Sequence, residues 1–289
     1  MADEVTVVIP TFNRAQLLKQ TIPSYIQEGV SSLVIVDDAS TDGTHEVVSQ
    51  LSVQYPDKII YLRNQYNRKQ HYSKNLGKAL ASTKWVYFGD DDSVIVEGSI
   101  RHLVDVAKSQ NANIVGAAAI YCKNGESVAD VVSRFRSSTV VATGSELVDL
   151  ERLKFCFFRR TIAPVEVPVT HAAFLISRDF YRLHDFDLRY TSNCYREETD
   201  FLLGCQIAGA KILFSSDAIQ VNLPPNIAIG GARSGGKIRY EWYALLNTFR
   251  FLRKHSGYYE NKFGRLAWIK AILMYMKERL VAAFRKVLP

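Results

Sequence analysis

A run of β-branched apolar residues at positions 5–9, closed by Pro10, predicts a buried parallel strand that ends at once in a loop. Apolar residues at helical spacing follow over about 14–27. A second short apolar run at 33–36 stops at Asp37-Asp38-Ala39-Ser40-Thr41-Asp42-Gly43, residue types that form turns and cap helices, before a periodic stretch at 44–51. The alternation continues with a strand at 58–62, a helix at 72–81 and a strand at 85–88 that runs into Gly89-Asp90-Asp91-Asp92-Ser93. This order predicts an α/β fold, a mostly parallel Rossmann-like sheet with helices on both faces, whose ligands bind outside the carboxyl ends of the strands. Pro10-Thr11-Phe12-Asn13-Arg14, Asp37-Asp38 and Asp90-Asp91-Asp92 all leave such ends, and right-handed crossovers gather them on one edge of the sheet.

Farther along, the pattern predicts a helix to about 109, a strand at 114–120, a variable insert at 121–166, a strand at 171–176, a helix at 201–208 entered through 196–200, and a strand at 211–215. Residues 224–236 read as a glycine-rich loop and 239–288 as helical, with Trp268, Ile272, Tyr275, Met276, Leu280 and Phe284 three or four apart. The expected organisation is a site-bearing domain at 1–236 and a helical C-terminal appendage at 237–289.

A chain of 289 residues suits one large core plus such an appendage. Its 47% hydrophobic and 22% charged residues leave no room for long disordered tracts. A net charge of +7 favours a phosphate-rich partner without choosing among nucleotide, nucleic acid and anionic lipid. No nucleic-acid-binding motif accompanies the charge. Cys122, Cys156, Cys194 and Cys205 form no metal-type spacing and read as free thiols of a reducing compartment. With no leader pattern and no apolar run near the ~18 residues a membrane span needs, the expectation is a cytoplasmic protein, soluble or peripheral at the membrane.

Three successive aspartates after an apolar strand repel one another unless a cation or a hydrogen-bond network stabilises them. Oxygen ligands favour Mg2+ or Mn2+, which can bind a diphosphate and neutralise charge developing on it. Asp38 can cap a helix, or hydrogen-bond a ribose hydroxyl or a base N–H. Glu197-Glu198-Thr199-Asp200, at a helix start, can stabilise the first turn or supply a general base.

VTVVIPTFNR, LVIVDDASTDGT, SKNLGKALASTKWVYFGDDDS and REETDFLLGCQIAGAKILF, spanning about 5–214, resemble the ordered motifs of the family 2 glycosyltransferases of the GT-A fold. The resemblance implies an inverting transferase that moves a sugar from a nucleotide-diphospho-sugar, UDP by default, to a hydroxyl of a glycan or lipid-linked glycan. It implies that Thr11, Asn13, Arg14 and Asp38, next to Pro10, hold the nucleoside. Asp90 would meet the ribose, with Asp91 beside it at the donor, and Asp92 would hold the metal. Glu198 stands at the usual catalytic position, one methylene longer than the family's Asp, and Glu197 and Asp200 remain alternative bases. Lys74 would serve the donor phosphates. Asn222 stands where relatives often carry a His that assists the metal, and Gly230-Gly231-Ala232-Arg233 resembles a lid that could supply the missing contact.

The basic C-terminal helices suit a membrane surface, a second subunit or cover for the catalytic domain. A rival reading takes Asp90-x-Asp92 as the first motif of a haloacid-dehalogenase-type phosphatase, but that motif belongs early in its fold and two strand–loop–helix units precede it here. A sugar nucleotidyltransferase would need a GxGxR loop after the first strand, which is absent. Asn222 and Glu198 motivate a third reading, a glycan-binding protein with a degenerate site.

Overall fold

The structure is a computed structural model that describes residues 4–224, 226–228 and 236–284, with side chains to 281. In chain order the first half contains β1 (Val5–Thr11), α1 (Ala15–Tyr25), β2 (Val30–Asp37), α2 (Thr44–Gln54), β3 (Ile59–Arg63), α3 (Lys69–Ala79), β4 (Trp85–Phe88), β5 (Ser93–Ile95), α4 (Ser99–Ser109) and β6 (Ile114–Tyr121). The expected insert holds α5 (Val128–Ser137), α6 (Gly144–Leu147), β7 (Val148–Asp149), β8 (Lys154–Phe155) and β9 (Val165–Glu166). There follow β10 (Phe174–Ser177), α7 (Arg178–Tyr181), α8 (Glu197–Ile207), β11 (Ile212–Asn222), α9 (Lys237–Lys254), α10 (Ser256–Phe263) and α11 (Ala267–Phe284).

The main sheet runs β3-β2-β1-β4-β10-β6-β11-β5, with β9 also paired to β11. Strands β1 to β4 are mutually parallel, β10 is antiparallel to both neighbours, and β6 and β11 are parallel. Chain order reverses at β1, with β2 to one side and β4 to the other, so a crevice opens at their carboxyl ends.

Side chains alternate across this sheet. Val7, Ile9, Ile35 and Tyr87 meet Leu18 and Ile22 of α1, Val48 of α2 and Leu103 of α4 on one face. Val8, Val36 and Phe88 lie on the other, in a core shared with Phe201 and Leu202 of α8, Phe251 of α9, Tyr259 of α10 and Ile272 of α11. The sheet thus carries helices on both faces, as the alternation of elements predicts. The C-terminal helices join the core of the second face. Helix α3 packs so closely there that a Cβ on Gly77 would stand 2.4 Å from Val8 Cγ1.

Several boundaries differ from expectation. Strand β1 continues through Pro10 to Thr11, pairing with Val36 and Asp37 of β2. The Val8 carbonyl accepts from Gly89 on the β4 side and the Thr11 carbonyl from Asp38 on the β2 side. By that alternation, Pro10 turns its missing N–H toward β4, past the last β1–β4 pair, Val8 with Phe88. Helix α8 begins at Glu197 rather than near 201, and β11 runs on to Asn222 because β5 pairs with its final turn of chain. No helix among the described residues is long and apolar enough to cross a membrane.

Candidate active site

The aspartate turn leaves β4 at Gly89, where a Cβ would lie 2.7 Å from Tyr25 Cε1. That close approach lets Tyr25 Oη donate to the Asp90 carbonyl at 3.0 Å and accept from the Asp90 N–H at 3.2 Å. Gln220 of β11 donates to Asp90 Oδ2 at 3.2 Å and is itself oriented by Tyr87 Oη at 2.9 Å. Arg14 lies 3.7 Å from Asp91 and 3.5 Å from Asp92. Burial pushes the Asp91 carboxyl up to about 7, with the Asp92 charge adding to it and Arg14 opposing it. Burial likewise lifts Asp90 to about 6, although Lys74 opposes the rise. One guanidinium therefore leaves negative charge uncompensated on this turn. A divalent cation on Asp92, whose side chain is one-third exposed, fits that donor set and would hold a diphosphate through its remaining positions.

The turn forms one wall of a cavity of about 240 Å³, with Pro10, Thr11, Arg14, Asp38, Asp90, Asp91 and Asp92 among its lining. Asn13 stands outside this lining, at a φ of 55°. It ties two loops together, its N–H donating to Ser40 Oγ at 2.8 Å and its Oδ1 accepting from the Thr41 N–H at 2.7 Å. Asp38 accepts from Asn64 and from the N–H groups of Arg68 and Lys69 at 2.7–2.8 Å, which fixes the entry to α3. Exposed Lys69 and half-buried Gln70, which the sequence did not single out, complete this side.

Lys74 is elsewhere. Buried inside α3, its ammonium lies 3.0 Å from Glu197 and 2.5 Å from Glu198. Gln70, one turn earlier, donates to the same two carboxylates at 2.7 and 3.2 Å. Burial tends to raise Glu198, but the Lys74 charge and hydrogen bond outweigh it and hold the carboxyl below its ordinary range. Burial carries fully enclosed Glu197 the other way, above its ordinary range, with Lys74 only partly offsetting it. Asp200 faces away, bound to Lys254 at 2.6 Å and His255 at 2.8 Å. Of the acidic residues in this helix start, Glu198 alone lines either the first cavity or a second one beside it.

That second cavity, about 400 Å³, has an aromatic wall of Tyr121, Phe155, Phe157, Phe158 and Tyr195, with His171 beside Glu198. It adjoins the first, since Gln70, Asn193 and Cys194 line both. The intervening segment is strained: Ser192, Cys194 and Arg196 all have positive φ, at 57°, 52° and 76°. Asn247 of α9, fully buried, holds it by donating to the Thr191 carbonyl at 2.9 Å and to Asn193 Oδ1 at 3.1 Å. Beneath it His71, Cys194 and Glu197 bring three potential ligand atoms within 4.8 Å of one another. His71 is already committed, Nε2 donating to the Tyr190 carbonyl and Nδ1 accepting from the Tyr72 N–H. With the Lys74 ammonium also adjacent, this cluster is unsuited to a metal.

The family model described as Glycosyl transferase family 2 matches residues 6–182. The chain belongs to that family. The matched span includes the aspartate turn, whereas Glu198 lies beyond it. Over 120 residues the chain is 35% identical to a Campylobacter jejuni GalNAc(5)-diNAcBac-PP-undecaprenol beta-1,3-glucosyltransferase, covering 40% of this chain and 38% of that protein. The chain spans roughly a third to a half of the length of the curated relatives it matches. A Pyrobaculum calidifontis mannosyltransferase, solved with GDP-Man and Mn2+, superposes with a TM-score of 0.61 at 17% identity over 99% of this chain and 81% of that one. Staphylococcus aureus TarS with UDP-GlcNAc superposes at 0.59 and 13% identity, over 94% and 89%. These similarities establish the GT-A fold.

Within that family frame, Asn222 turns its amide into the sheet, Oδ1 accepting from Ser93 Oγ at 3.0 Å and Nδ2 donating to the Ile120 carbonyl at 3.2 Å. The Gly230-Gly231-Ala232-Arg233 segment lies outside the described residues. Gln70, Asn193, His171 and the aromatic wall escaped sequence reading. One signal for Gln70 was present, because Gln70, Lys74 and Lys78 recur every four residues along a helix with almost no apolar stripe.

Proposed function

We propose that the protein is an inverting glycosyltransferase that uses a nucleotide-diphospho-sugar, with UDP as the nucleotide, and a glycan or lipid-linked glycan acceptor. The observation that carries this reading is the pair of adjoining cavities, one walled by the aspartate turn and the other by ionised Glu198. The donor occupies the first, its nucleoside against Pro10, Thr11, Arg14 and Asp38 and its ribose toward Asp90 and Asp91. Asn13 keeps the two loops in register. In this reading exposed Lys69, which lines the first cavity, meets the diphosphate, while Lys74 stays paired with Glu198. Mn2+ or Mg2+ on Asp92 would neutralise the charge that develops on the leaving diphosphate.

The acceptor occupies the second cavity, where the aromatic wall suits the apolar face of a sugar ring. Glu198 takes the proton of its hydroxyl while that oxygen bonds to the anomeric carbon from the face opposite the diphosphate. The bond from that carbon to the phosphate oxygen breaks in the same step, its electron pair leaves with the nucleotide, and the anomeric configuration inverts. Lys74 and Gln70 keep Glu198 ionised and aimed. The C. jejuni relative's lipid-linked acceptor and the nucleotide sugars of the structural neighbours are compatible with this chemistry. The four free thiols suit a cytoplasmic setting.

The phosphatase alternative fits less well, since three complete strand–helix units precede Asp90 whereas its motif belongs early in the fold. Calorimetric titration with UDP, GDP and dTDP, with and without Mn2+, tests the donor site on wild type and Asp92→Ala. Metal-dependent UDP binding that the substitution abolishes is expected. No binding of any nucleotide would overturn the reading.

A further inference from the structure

Helices α9 and α11 run antiparallel, because Glu241 near the start of α9 pairs with Arg279 near the end of α11 at 3.1 Å while Phe249 meets Trp268 edge-on at 6.2 Å between ring centroids. Their inner sides carry Asn247, Phe251, Ala271 and Tyr275, which are buried against the strained segment and the core. Their outer sides are unusual for a water-facing surface. Ile238, Trp242 and Phe249 recur along α9 at four and seven residues, exposed by 89%, 59% and 41%. Leu266, Leu273 and Leu280 recur every seven residues into and along α11, exposed by 47%, 59% and 58%. Seven residues is two helical turns, so each set forms one stripe on the side of its helix turned away from the buried residues.

The charge around this face is mostly positive. From Lys237 to Val281 ten lysines and arginines stand against three glutamates, an excess as large as the +7 of the whole chain. Of those glutamates, Glu241 is paired with Arg279 and Glu278 with Lys154. Exposed Arg239 and Arg253 fall on the apolar side of α9, and exposed Lys270 and Lys277 border the leucine stripe of α11.

We propose that this two-helix face docks on an anionic lipid bilayer, with the apolar stripes in the interfacial layer and Arg239, Arg253, Lys270 and Lys277 on the headgroups. Exposed apolar rows bordered by cations are what interfacial binding requires. A second copy of the chain is disfavoured as the occupant, since apposing two such faces would bring like charges together. Docking here would hold Glu198 and the second cavity close to the membrane, because the inner side of the same hairpin positions the segment that precedes Glu198.

Vesicle flotation tests the proposal, comparing phosphatidylcholine alone with a phosphatidylcholine–phosphatidylglycerol mixture. The full chain is expected to float with the anionic vesicles only, and less so at high salt. Trp242→Ser with Leu273→Ser, and separately Lys270→Glu with Lys277→Glu, should each lower the bound fraction roughly ten-fold. Thermal melts like that of wild type would show that both variants fold. Absence of flotation, or flotation that neither variant weakens, overturns the proposal. So does a concentration-dependent dimer that Trp242→Ser with Leu273→Ser dissociates, which would make a second copy the occupant. The assay reads lipid binding and not sugar transfer, so its outcome is independent of the proposed activity.

Discussion

Lys74 and Glu198 meet at 2.5 Å although 124 residues separate them in the chain, and the same ammonium reaches Glu197 at 3.0 Å. One buried cation thus bridges two acidic side chains and balances the charge of Glu198, while burial keeps Glu197 above its ordinary range. Lys74→Met removes it and leaves both acids in place. The expected loss of stability is about 3–5 kcal/mol, the usual consequence of stranding a buried charge. Denaturant unfolding checks this, and Lys74→Arg should retain part of the stability.

The two glutamates shift in opposite directions, which sets the pH dependence. Glu198 lies below the ordinary glutamate range, so it is ionised at neutral pH and its stabilising contribution persists above the unfolded-state pKa. That contribution is lost as pH falls through the depressed folded value. The acid limb of kcat is therefore expected below the ordinary glutamate range, and Lys74→Met should move it upward. Glu197 lies above that range through burial, so its contribution is full below its unfolded pKa and is lost as pH rises through the folded value. Initial rates and melting temperatures across a pH series separate the two.

Gly89→Ala should weaken nucleotide binding without touching any ligand contact. The new Cβ would stand 2.7 Å from the Tyr25 ring, which must yield or push the aspartate turn away. Overpacking of this kind costs about 1–3 kcal/mol. UDP affinity measured by calorimetry is expected to fall roughly ten-fold, equivalent to about 1.4 kcal/mol. Gly204→Ala is the control, because a Cβ there meets nothing within 4 Å.

Asn247→Ala should separate the two cavities functionally. Its amide holds Thr191 and Asn193, whose segment leads into Glu198, but it lines neither cavity. The expectation is a kcat reduced about ten- to a hundred-fold, since small misplacements of reacting groups are costly. The dissociation constant for UDP should stay near that of wild type. Equal losses in both would contradict a positioning role.

The crevice was legible because its parts are local. Each apolar run followed by turn-forming residues marks a strand end, and parallel alternation brings such ends together, so the placement of Asp38 and Asp90–Asp92 followed from pattern alone. The choice among Glu197, Glu198 and Asp200 was not legible, because all three share one helical turn and differ only in distant partners. Asp200 is drawn off by Lys254 and His255 from the C-terminal helices, while Lys74 comes from α3. Lys74 itself was expected at the donor phosphates, and nothing in its neighbouring sequence signals a partner on α8. Phe155, Phe157 and Phe158 of the aromatic wall lie in an insert whose strands are two residues long, too short for any period to appear.

The most direct test of the account is nucleotide release from a UDP-sugar with Mn2+ present, comparing wild type, Asp92→Ala and Glu198→Gln, alongside donor affinity for each. The account predicts that Glu198→Gln binds donor like wild type but turns over about 10²–10⁴-fold more slowly, as loss of a general base requires. Asp92→Ala should lose metal-dependent donor binding itself. Wild-type turnover by Glu198→Gln would contradict the account.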